Sequence, residues 1–382
     1  MSCKEIFKTV DELFARYVDF WVEVCNEESP TNYKEGVDKV GALFIREAKR
    51  LGFDYEIYHE EVSGDAVCIT MNGEVDAAPL VLSGHLDTVH PVGLFGTPAT
   101  RIEGDKIYGP GVCDCKGGCV AALLAMEALK INGYKKRPVK LVLQSDEEVG
   151  SSISQKRTVD FMERCAKGCV AFLNAEPVAN YKITVERKGI IRFEFKIKGV
   201  AVHSACCYDG ANAVTEAAHK IIELEKFKNA DGITCNCGVI RGGTTPNTVA
   251  EECSFLADVR YKTAAELEEI KAFVNELAKK SFVEGTTTEV NIKSFRVSME
   301  RKDEVIDLAL KLCELAKKHG LVERGLNKSN GGADSADMVS RGIVAVDSLG
   351  VAGGWLHSVK EFAIVDSLGE SAKLFVAAAE EL

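Results

Sequence analysis

Three apolar segments of strand length run directly into side chains that can bind metal ions. The segments are 79–83 before His85, 139–144 before Glu147 and Glu148, and 169–173 before Glu176. A helical apolar pattern at 120–126 separates the first two segments, and strands that alternate with helices are typical of a parallel sheet. Because open α/β sheets bind ligands beyond the carboxyl ends of their strands, we expect these side chains to lie close together.

The N-terminal and C-terminal parts of the chain continue this mixture of helices and strands. Helices are predicted at 4–26, 34–51, 302–319 and from about 366, and further strands at 55–60, 65–71 and 342–346. We therefore predict an α/β domain made of residues 1–185 and 298–382, with a mixed, mostly parallel sheet and helices on both faces. A chain of 382 residues is long for one hydrophobic core, which favours a second domain.

The middle of the chain has a different pattern, which indicates that second domain. Residues 189–199 alternate apolar and charged side chains, as a half-exposed strand does. The segments that follow are a helix at 211–228, strands at 232–241 and 248–262, a helix at 264–280 and a strand at 288–297. This β-α-β-β-α-β order is ferredoxin-like. Residues 186–297 are therefore predicted to form an inserted α+β domain.

Charge and hydropathy exclude two classes of partner. The net charge is −11, which argues against binding to nucleic acid or to anionic membranes. No segment approaches the roughly 20 apolar residues of a membrane-spanning helix. The N-terminus also lacks the basic start and cleavage site of a signal peptide. The fourteen cysteines are thus expected to be reduced thiols of a cytoplasmic protein rather than disulfides.

His85 and Asp87 form an H-x-D pair at the end of an apolar segment. Residues two apart share one face of an extended chain, so Asp87 can accept a hydrogen bond from the imidazole nitrogen that does not bind metal. Such a bond would set the tautomer of His85. Taken alone, the pair is better explained as a strand-end histidine and a turn aspartate that satisfy local backbone groups.

Asp114 lies in a loop with glycine on both sides, in G-P-G-V-C-D-C-K-G-G. Glycine allows the backbone to approach a bound ion closely, and one carboxylate can bridge two cations about 3.5–4 Å apart. The alternative for Asp114 is the cap of a glycine-rich turn.

Four further side chains add to the ligand supply. Glu147 and Glu148 follow Asp146, and three adjacent carboxylates repel one another unless cations neutralise them. On an extended segment Glu147 and Glu148 would point in opposite directions, so that one could bind metal while the other faces the cleft. Glu176 precedes Pro177, and His357 follows G-G-W-L. Each feature alone fits a surface loop. Together with His85 and Asp114, these side chains supply oxygen and nitrogen ligands for two Zn²⁺ ions, and one carboxylate remains for catalysis.

At this point the chain resembles the co-catalytic dizinc carboxypeptidase and aminoacylase family of metallopeptidases. That family includes bacterial glutamate carboxypeptidase, succinyl-diaminopimelate desuccinylase, acetylornithine deacetylase and peptidase T. The resemblance covers about residues 5–380. The matching motifs are S-G-H-L-D-T-V, G-x-G-V-x-D-x-K-G-G, D-E-E-x-G-S, E-P, R-K-G, V-H-S-A, N-T-V-A-E, D-V-R, G-G-A-D-S-A and L-H-S-V-K-E-F. The resemblance implies a zinc-exopeptidase-like catalytic domain with an inserted lid domain that mediates homodimerisation.

The resemblance also implies a role for each matching residue. Asp114 would bridge two zinc ions, with His85 and Glu176 completing one site and Glu148 and His357 the other. Glu147 would be the general base.

In the lid, His203 would reach the partner's active site and stabilise the oxyanion. Arg260 and Asn247 would hold the substrate, with Arg260 at a carboxylate. Taken without the resemblance, Arg260 is better explained as a strand residue paired with Asp258 or Glu252, and His203 as a residue at a strand end.

These roles predict a zinc-dependent amidohydrolase that cleaves a small peptide next to a free carboxylate, in the manner of a glutamate carboxypeptidase. An N-acyl-amino-acid deacylase is the alternative within enzymes, and a catalytically silent, dimeric metal-binding protein is the alternative outside them. Co²⁺ or Mn²⁺ can also occupy mixed oxygen and nitrogen sites. One departure from the family is visible, since Cys115 follows the bridging aspartate where methionine is common. A thiol at that position predicts sensitivity to oxidation.

Overall fold

The computed structural model describes residues 2–229 and 232–382. The helices are α1 (Cys3–Asn26), α2 (Lys34–Leu51), α3 (Lys116–Ile131), α4 (Arg157–Ala166), α5 (Ala213–Phe227), α6 (Ala264–Lys279), α7 (Asp303–Lys318), α8 (Asp334–Ser340) and α9 (Ser367–Glu381). The strands are β1 (Asp54–Tyr58), β2 (Ala66–Met71), β3 (Leu80–His85), β4 (Arg101–Glu103), β5 (Lys106–Tyr108), β6 (Val139–Gln144), β7 (Ala171–Asn174), β8 (Lys182–Arg187), β9 (Gly189–Lys198), β10 (Thr234–Gly242), β11 (Glu252–Tyr261), β12 (Thr287–Arg296), β13 (Gly325–Ser329), β14 (Ala345–Val346), β15 (Gly353–Gly354) and β16 (Phe362–Ile364). Within the described residues, none of these helices combines the length and the apolar character that crossing a bilayer requires.

The chain divides into two compact units. The first unit comprises Met1–Val185, Arg301–Lys328 and Ala333–Leu382, and the second comprises Glu186–Glu300 with Ser329–Gly332. Each unit has its own sheet and its own core.

The first unit is built on a six-stranded mixed sheet in the order β1-β2-β6-β3-β7-β14. Strands β6, β3, β7 and β14 run parallel, whereas β1 and β2 are antiparallel to their neighbours. Helix α3 packs on β3 and β6, and α4 packs on β2 and β6. This arrangement confirms the predicted α/β fold with a mostly parallel sheet flanked by helices.

Local signals in the sequence explain where the first helices begin and end. Ser2 and Glu5 form a capping box at the start of α1, in which the Glu5 carboxylate accepts the Ser2 N–H at 2.9 Å. Helix α2 ends at Gly52, whose φ of 63° is the left-handed conformation that glycine adopts without strain. Buried Trp21 of α1 donates its indole N–H to the carbonyl of Val112 at 3.1 Å. That bond ties α1 to the loop that carries Asp114.

Two local expectations are wrong. The strand expected at 342–346 is reduced to the two residues of β14, because Gly342, at φ 82°, still belongs to the turn after α8. Glu147 and Glu148 do not lie on an extended segment but on a 3₁₀ turn, Glu147–Val149, that ends at Gly150. The sequence reading also missed a small antiparallel sheet in the order β15-β16-β5-β4, whose strands have two or three residues each.

The second unit has the predicted ferredoxin-like topology. Its chain order is β9-α5-β10-β11-α6-β12, and its antiparallel sheet has the spatial order β10-β11-β9-β12. The alternation along β9 places one set of side chains in a core where Phe195 stacks on Phe255 at 4.5 Å. Helices α5 and α6 cover that core.

Candidate metal centre

His85 is the last residue of β3, and its imidazole is almost completely buried, with 1 % exposed. Its Nδ1 lies 2.9 Å from the main-chain oxygen of Asp87 and 3.4 Å from the Asp87 carboxylate. The closer acceptor is therefore the main chain of Asp87 rather than the side chain that we expected. Either acceptor leaves Nε2 of His85 directed at Asp114 and available as a ligand.

The Asp87 carboxylate instead connects two ligand-bearing loops. Its Oδ1 accepts the main-chain N–H of Glu147 at 3.1 Å, and its Oδ2 accepts that of Glu148 at 3.2 Å. The Thr31 hydroxyl donates to the same carboxylate at 2.7 Å. Asp87 thus holds the 3₁₀ turn beside His85, because a buried carboxylate with three donors has one preferred position.

Asp114 lies between two imidazoles. Its Oδ1 is 3.2 Å from Nε2 of His85, and its Oδ2 is 3.2 Å from Nε2 of His357. Each carboxylate oxygen therefore faces a different histidine. This is the arrangement that a carboxylate bridging two cations requires.

One glutamate accompanies each histidine. Glu176 Oε1 lies 3.7 Å from Nε2 of His85, and Glu148 Oε2 lies 3.2 Å from Nε2 of His357. Ligand atoms of His85, Asp114 and Glu148 also lie within 4.8 Å of one another. The five side chains predicted as metal ligands thus converge at the carboxyl end of the parallel strands.

The electrostatics of this cluster favour the binding of cations. Burial raises the pKa of Glu148 to about 7 and raises that of Glu176 well above its usual range, and the neighbouring Asp114 carboxylate acts in the same direction. Burial also opposes ionisation of Asp114, but hydrogen bonds from His357 and His85 hold its pKa below the ordinary value. The hydrogen bond to Asp114 raises the pKa of His357 to about 10. Buried carboxylates that repel one another and attract protons are a suitable environment for divalent ions.

Glu147 lies next to the ligand cluster. Its side chain is buried, and its carboxylate is close enough to raise the pKa of both Glu148 and Glu176. The main-chain N–H of Glu147 donates to Oδ1 of Asp87 at 3.1 Å, which fixes the turn beside His85. A carboxylate held next to a ligand cluster is suited to proton transfer.

The sequence reading missed the role of Glu361. This buried carboxylate accepts the main-chain N–H of Cys113 at 3.0 Å and that of Asp114 at 3.1 Å through Oε1. Its Oε2 lies 2.7 Å from Nε2 of buried His90. Glu361 therefore positions the loop of the bridging aspartate. The glutamate in the motif L-H-S-V-K-E-F was the available signal.

Cys115 is fully buried behind the centre. Its sulfur accepts the main-chain N–H of His85 at 3.0 Å, and its ligand atom lies within 4.8 Å of those of His85 and Glu176. Burial raises the pKa of the thiol well above its usual range. A neutral thiol without solvent access reacts slowly with oxidants, so the expected oxidation sensitivity has no support from its environment.

The close approach of α3 to β7 depends on Gly118. A Cβ at this position would lie 2.0 Å from the main-chain oxygen of Ala175, the residue before Glu176. Glycine thus lets the helix that follows Asp114 pack against the strand end that carries Glu176.

The predicted oxyanion-stabilising residue His203 and the predicted substrate-binding residues Arg260 and Asn247 lie in the second unit. His203 caps a 3₁₀ turn, Ser204–Asp209, by accepting the Ala205 N–H on Nδ1 at 3.1 Å. Ser204 donates its N–H to the carbonyl of Asn247 at 3.0 Å, so the exposed residues His203 and Asn247 lie on adjacent segments.

Arg260 lies on β11, where its Nε donates to Asp258 at 3.0 Å and its Nη1 donates to the carbonyl of Asn330 at 2.7 Å. The pairing of Arg260 with Asp258 is the structural alternative that the sequence left open. The hydrogen bonds of Arg260 connect it to neither His203 nor Asn247.

Comparison with known proteins identifies the family. The model of peptidase family M20/M25/M40 matches residues 81–381. Carboxypeptidase G2 from a Pseudomonas species is 26 % identical over 346 residues, which cover 88 % of this chain and 82 % of that protein. Acetylornithine deacetylase from Myxococcus xanthus is 31 % identical over 197 residues, which cover 48 % of this chain and 50 % of that protein.

A solved structure of the aminopeptidase PepT from Bacillus cereus has the same fold. It superposes with a TM-score of 0.80 at 22 % identity and covers 96 % of this chain and 98 % of its own. These similarities agree with the resemblance that the sequence motifs indicated. The family match extends over most of the chain and includes all five side chains of the metal cluster. The chain belongs to peptidase family M20/M25/M40.

Proposed function

We propose that this metal-dependent hydrolase is an exopeptidase that cleaves the amide bond next to a free carboxylate, as a glutamate carboxypeptidase does. The observation that carries the proposal is the position of Asp114, whose two oxygens each lie 3.2 Å from a different histidine. One further carboxylate accompanies each histidine, and the Glu147 carboxylate is near enough to raise the pKa of both of these glutamates. This supply of ligands and one additional acid is what hydrolysis with two metal ions requires.

The residues present fit a pair of zinc ions. His85 and Glu176 would hold one ion and Glu148 and His357 the other, with Asp114 shared between them. A dinuclear centre is described for a solved member of the family. Bound in pairs, such ions polarise an amide carbonyl and increase the acidity of water. The raised pKa values of Glu148 and Glu176 support this assignment, because a cation would offset the cost of burying both charges.

Glu147 is proposed as the general base. Its carboxylate would take a proton from the attacking water and pass it to the leaving nitrogen, which otherwise departs as an unstable anion. Asp87 supports this role, because it accepts the main-chain N–H of Glu147 at 3.1 Å and so sets the orientation of the turn. A carboxylate positioned in this way loses little freedom when the substrate binds.

The second unit is proposed to bind the substrate and to form a homodimer. His203 would donate a hydrogen bond to the oxyanion in the partner's active site. Arg260 would form a two-pronged contact with the free carboxylate, and Asn247 would add a polar contact. The guanidinium of Arg260 is already oriented by Asp258 and Asn330, which supports a defined direction for the side chain.

A reducing compartment, and hence a cytoplasmic location, is proposed for the protein. All fourteen cysteines have free thiols, and nine of them are buried. Cys206 and Cys207 are adjacent and exposed, an arrangement that a reducing environment preserves.

Deacylation of an N-acyl amino acid is the second candidate function. The 31 % identity to acetylornithine deacetylase over half the chain favours it. Both reactions break an amide bond near a carboxylate and need the same proton transfers. The two reactions differ only in the group on the acyl side of the amide bond. In this proposal neither Arg260 nor the metal ligands contact that group.

Hydrolysis of a substrate panel tests the proposal. The panel contains a peptide with C-terminal glutamate, N-acetylornithine, other N-acetyl amino acids and N-succinyl-diaminopimelate, each assayed with Zn²⁺, Co²⁺ or Mn²⁺ and with a chelator. We expect the peptide to have the highest kcat/KM, with activity lost in chelator and in Glu147→Gln. A preference for an acylated amino acid would select the second function. Metal binding without turnover of any substrate would select a catalytically silent, dimeric metal-binding protein.

A further inference from the structure

A second group of metal-binding side chains lies where three helix ends meet, and it shares no residue with the catalytic cluster. Cys3 begins α1, His319 directly follows α7, and Glu381 is the last residue of α9. The thiol of Cys3 lies 3.8 Å from Oε1 of Glu381, and Nε2 of His319 lies 2.5 Å from the same oxygen. All three ligand atoms lie within 4.8 Å of one another.

We propose that Cys3, His319 and Glu381 form a separate site for Zn²⁺ or a similar borderline cation, with water as the fourth ligand. Thiolate, imidazole and carboxylate are the ligands that zinc uses in proteins. A tetrahedral zinc ion would separate a sulfur and an oxygen ligand by about 3.5 Å, close to the observed distance between Cys3 and Glu381. The His319 and Glu381 atoms would need to move apart by roughly 0.8 Å, a distance within reach of side-chain rotation.

The charges around the cluster suit a divalent ion. Oε2 of Glu381 is occupied by the ammonium of Lys318 at 2.5 Å, which leaves Oε1 for a cation. Burial raises the pKa of the Cys3 thiol, and the carboxylates of Glu381 and Glu380 raise it further. The thiol is therefore protonated before the ion arrives. Binding would release that proton to solvent, and the thiolate and carboxylate would balance the two positive charges.

The geometry of the cluster leaves one side for water. The Cys3 residue is 8 % exposed, while the side chains of His319 and Glu381 are 11 % and 24 % exposed. Phe7, one turn after Cys3, packs edge-on against the His319 ring at 5.7 Å between centroids and so restricts its rotation. A metal ion here would join the beginning of α1 to the ends of α7 and α9, and would add stability without taking part in hydrolysis.

Metal stoichiometry tests this site independently of the proposed reaction. The full-length protein is equilibrated with Zn²⁺, dialysed free of excess, and analysed for zinc per chain. We expect three ions in the wild type and two in Cys3→Ser and in His319→Gln. The matched control Cys313→Ser removes a half-buried thiol of α7 outside the cluster, and it should retain three. Equal zinc content in the wild type and both cluster variants would overturn the proposal. It would show that Cys3, His319 and Glu381 form only a hydrogen-bonded contact.

Two further measurements identify the ligand and separate this site from the catalytic centre. In the Co²⁺-loaded protein, a near-ultraviolet band from thiolate to cobalt should be weaker in Cys3→Ser than in Cys313→Ser. Zinc should raise the Tm of the wild type more than that of His319→Gln. Cys3→Ser should hydrolyse the substrate panel at the wild-type rate, so failure of the catalytic proposal leaves this test intact. Identical cobalt spectra and identical zinc-induced Tm shifts would contradict a site at Cys3.

Discussion

The carboxylate of Glu361 holds the main chain of Asp114, whose N–H donates to Oε1 at 3.1 Å across 247 positions of sequence. The same oxygen accepts the N–H of Cys113, and the other oxygen is 2.7 Å from His90. The loop with the proposed bridging ligand is therefore positioned by the segment that follows His357. This relationship makes Glu361 a positioning residue of the metal centre.

Replacing Glu361 by alanine should weaken metal binding. The change leaves two buried N–H groups without an acceptor, which costs about 1–3 kcal/mol each and frees the loop to move. Loss of such a supporting contact typically lowers metal affinity 10–100-fold. Competition with a chromophoric chelator measures this change. Glu361→Gln, which keeps an acceptor oxygen, should bind metal more tightly than Glu361→Ala, and equal affinities in all three proteins would contradict the positioning role.

Glu147→Gln should retain both metal ions and lose turnover. Base catalysis typically contributes 10²–10⁴-fold, so kcat should fall by that factor while the fold and the metal content stay unchanged. Steady-state kinetics with elemental analysis of the same samples checks this. Glu148→Gln is the matched control, because it should lose metal as well as activity. A wild-type rate in Glu147→Gln would refute the general-base assignment.

Asp114→Ala should lose more metal than removal of any single histidine. Each oxygen of Asp114 faces one of the two proposed sites, whereas His357 and His85 each belong to one. We expect Asp114→Ala to retain less than one ion per chain after dialysis and His357→Ala to retain about one. Metal analysis by mass spectrometry provides the measurement. Two ions retained in Asp114→Ala would show that it does not bridge them.

Arg260→Lys should raise KM for substrates that carry a free carboxylate. Lysine cannot reproduce the planar, two-pronged contact of a guanidinium, which predicts a loss of about 10-fold or more in kcat/KM. Arg192→Lys is a suitable control, since Arg192 lies on the adjacent strand and also pairs with Asp258, at 2.7 Å. An Arg260→Lys enzyme with unchanged KM would show that the carboxylate binds elsewhere.

Glu127 should make folding stability depend on pH. Burial alone would raise its pKa, but hydrogen bonds from Arg50 and Tyr17 lower it below the ordinary value of 4.5. A carboxylate with a lowered pKa stabilises the fold above its unfolded pKa, and the contribution is lost as pH falls through the folded value. Glu127→Gln should therefore be less stable than the wild type by about 1–3 kcal/mol at pH 7, with a smaller difference below pH ~4.

Urea unfolding at a series of pH values measures the Glu127 contribution. Glu23→Gln is the control, because the Glu23 carboxylate also pairs with an arginine but is 45 % exposed. Exposed pairs contribute about 0–1 kcal/mol, so this variant should change little with pH. A stability difference for Glu127→Gln that is the same at pH 7 and at pH 3.5 would contradict the ion-pair explanation.

Much of the fold and of the candidate site could be predicted because they depend on local patterns. Helix α2 was expected at 34–51 and occupies Lys34–Leu51, since its apolar period and its terminal Gly52 are both sequence signals. The convergence of His85, Glu148 and Glu176 followed from the direction of parallel strands alone.

Contacts between distant segments could not be predicted in this way. Glu361 bonds to Asp114 and His90, and Asp87 bonds to the turn at Glu147. These partners lie far apart in the sequence, and no repeating pattern of residues links them. The 3₁₀ turn at Glu147 was missed because three adjacent acidic residues favour no backbone conformation strongly. Strands of two or three residues, such as β15 and β16, are too short to show alternation.

The two histidines of the centre differ sharply in their surroundings, with 1 % of the His85 side chain exposed and 55 % of the His357 side chain. An ion coordinated by His357 would exchange with ions in solution faster than an ion coordinated by His85, because His85 is buried in the protein. Gradual replacement of one metal by another should accordingly proceed in two kinetic phases. Hybrid enzyme carrying two different metals would then be obtainable by stopping the exchange after the faster phase.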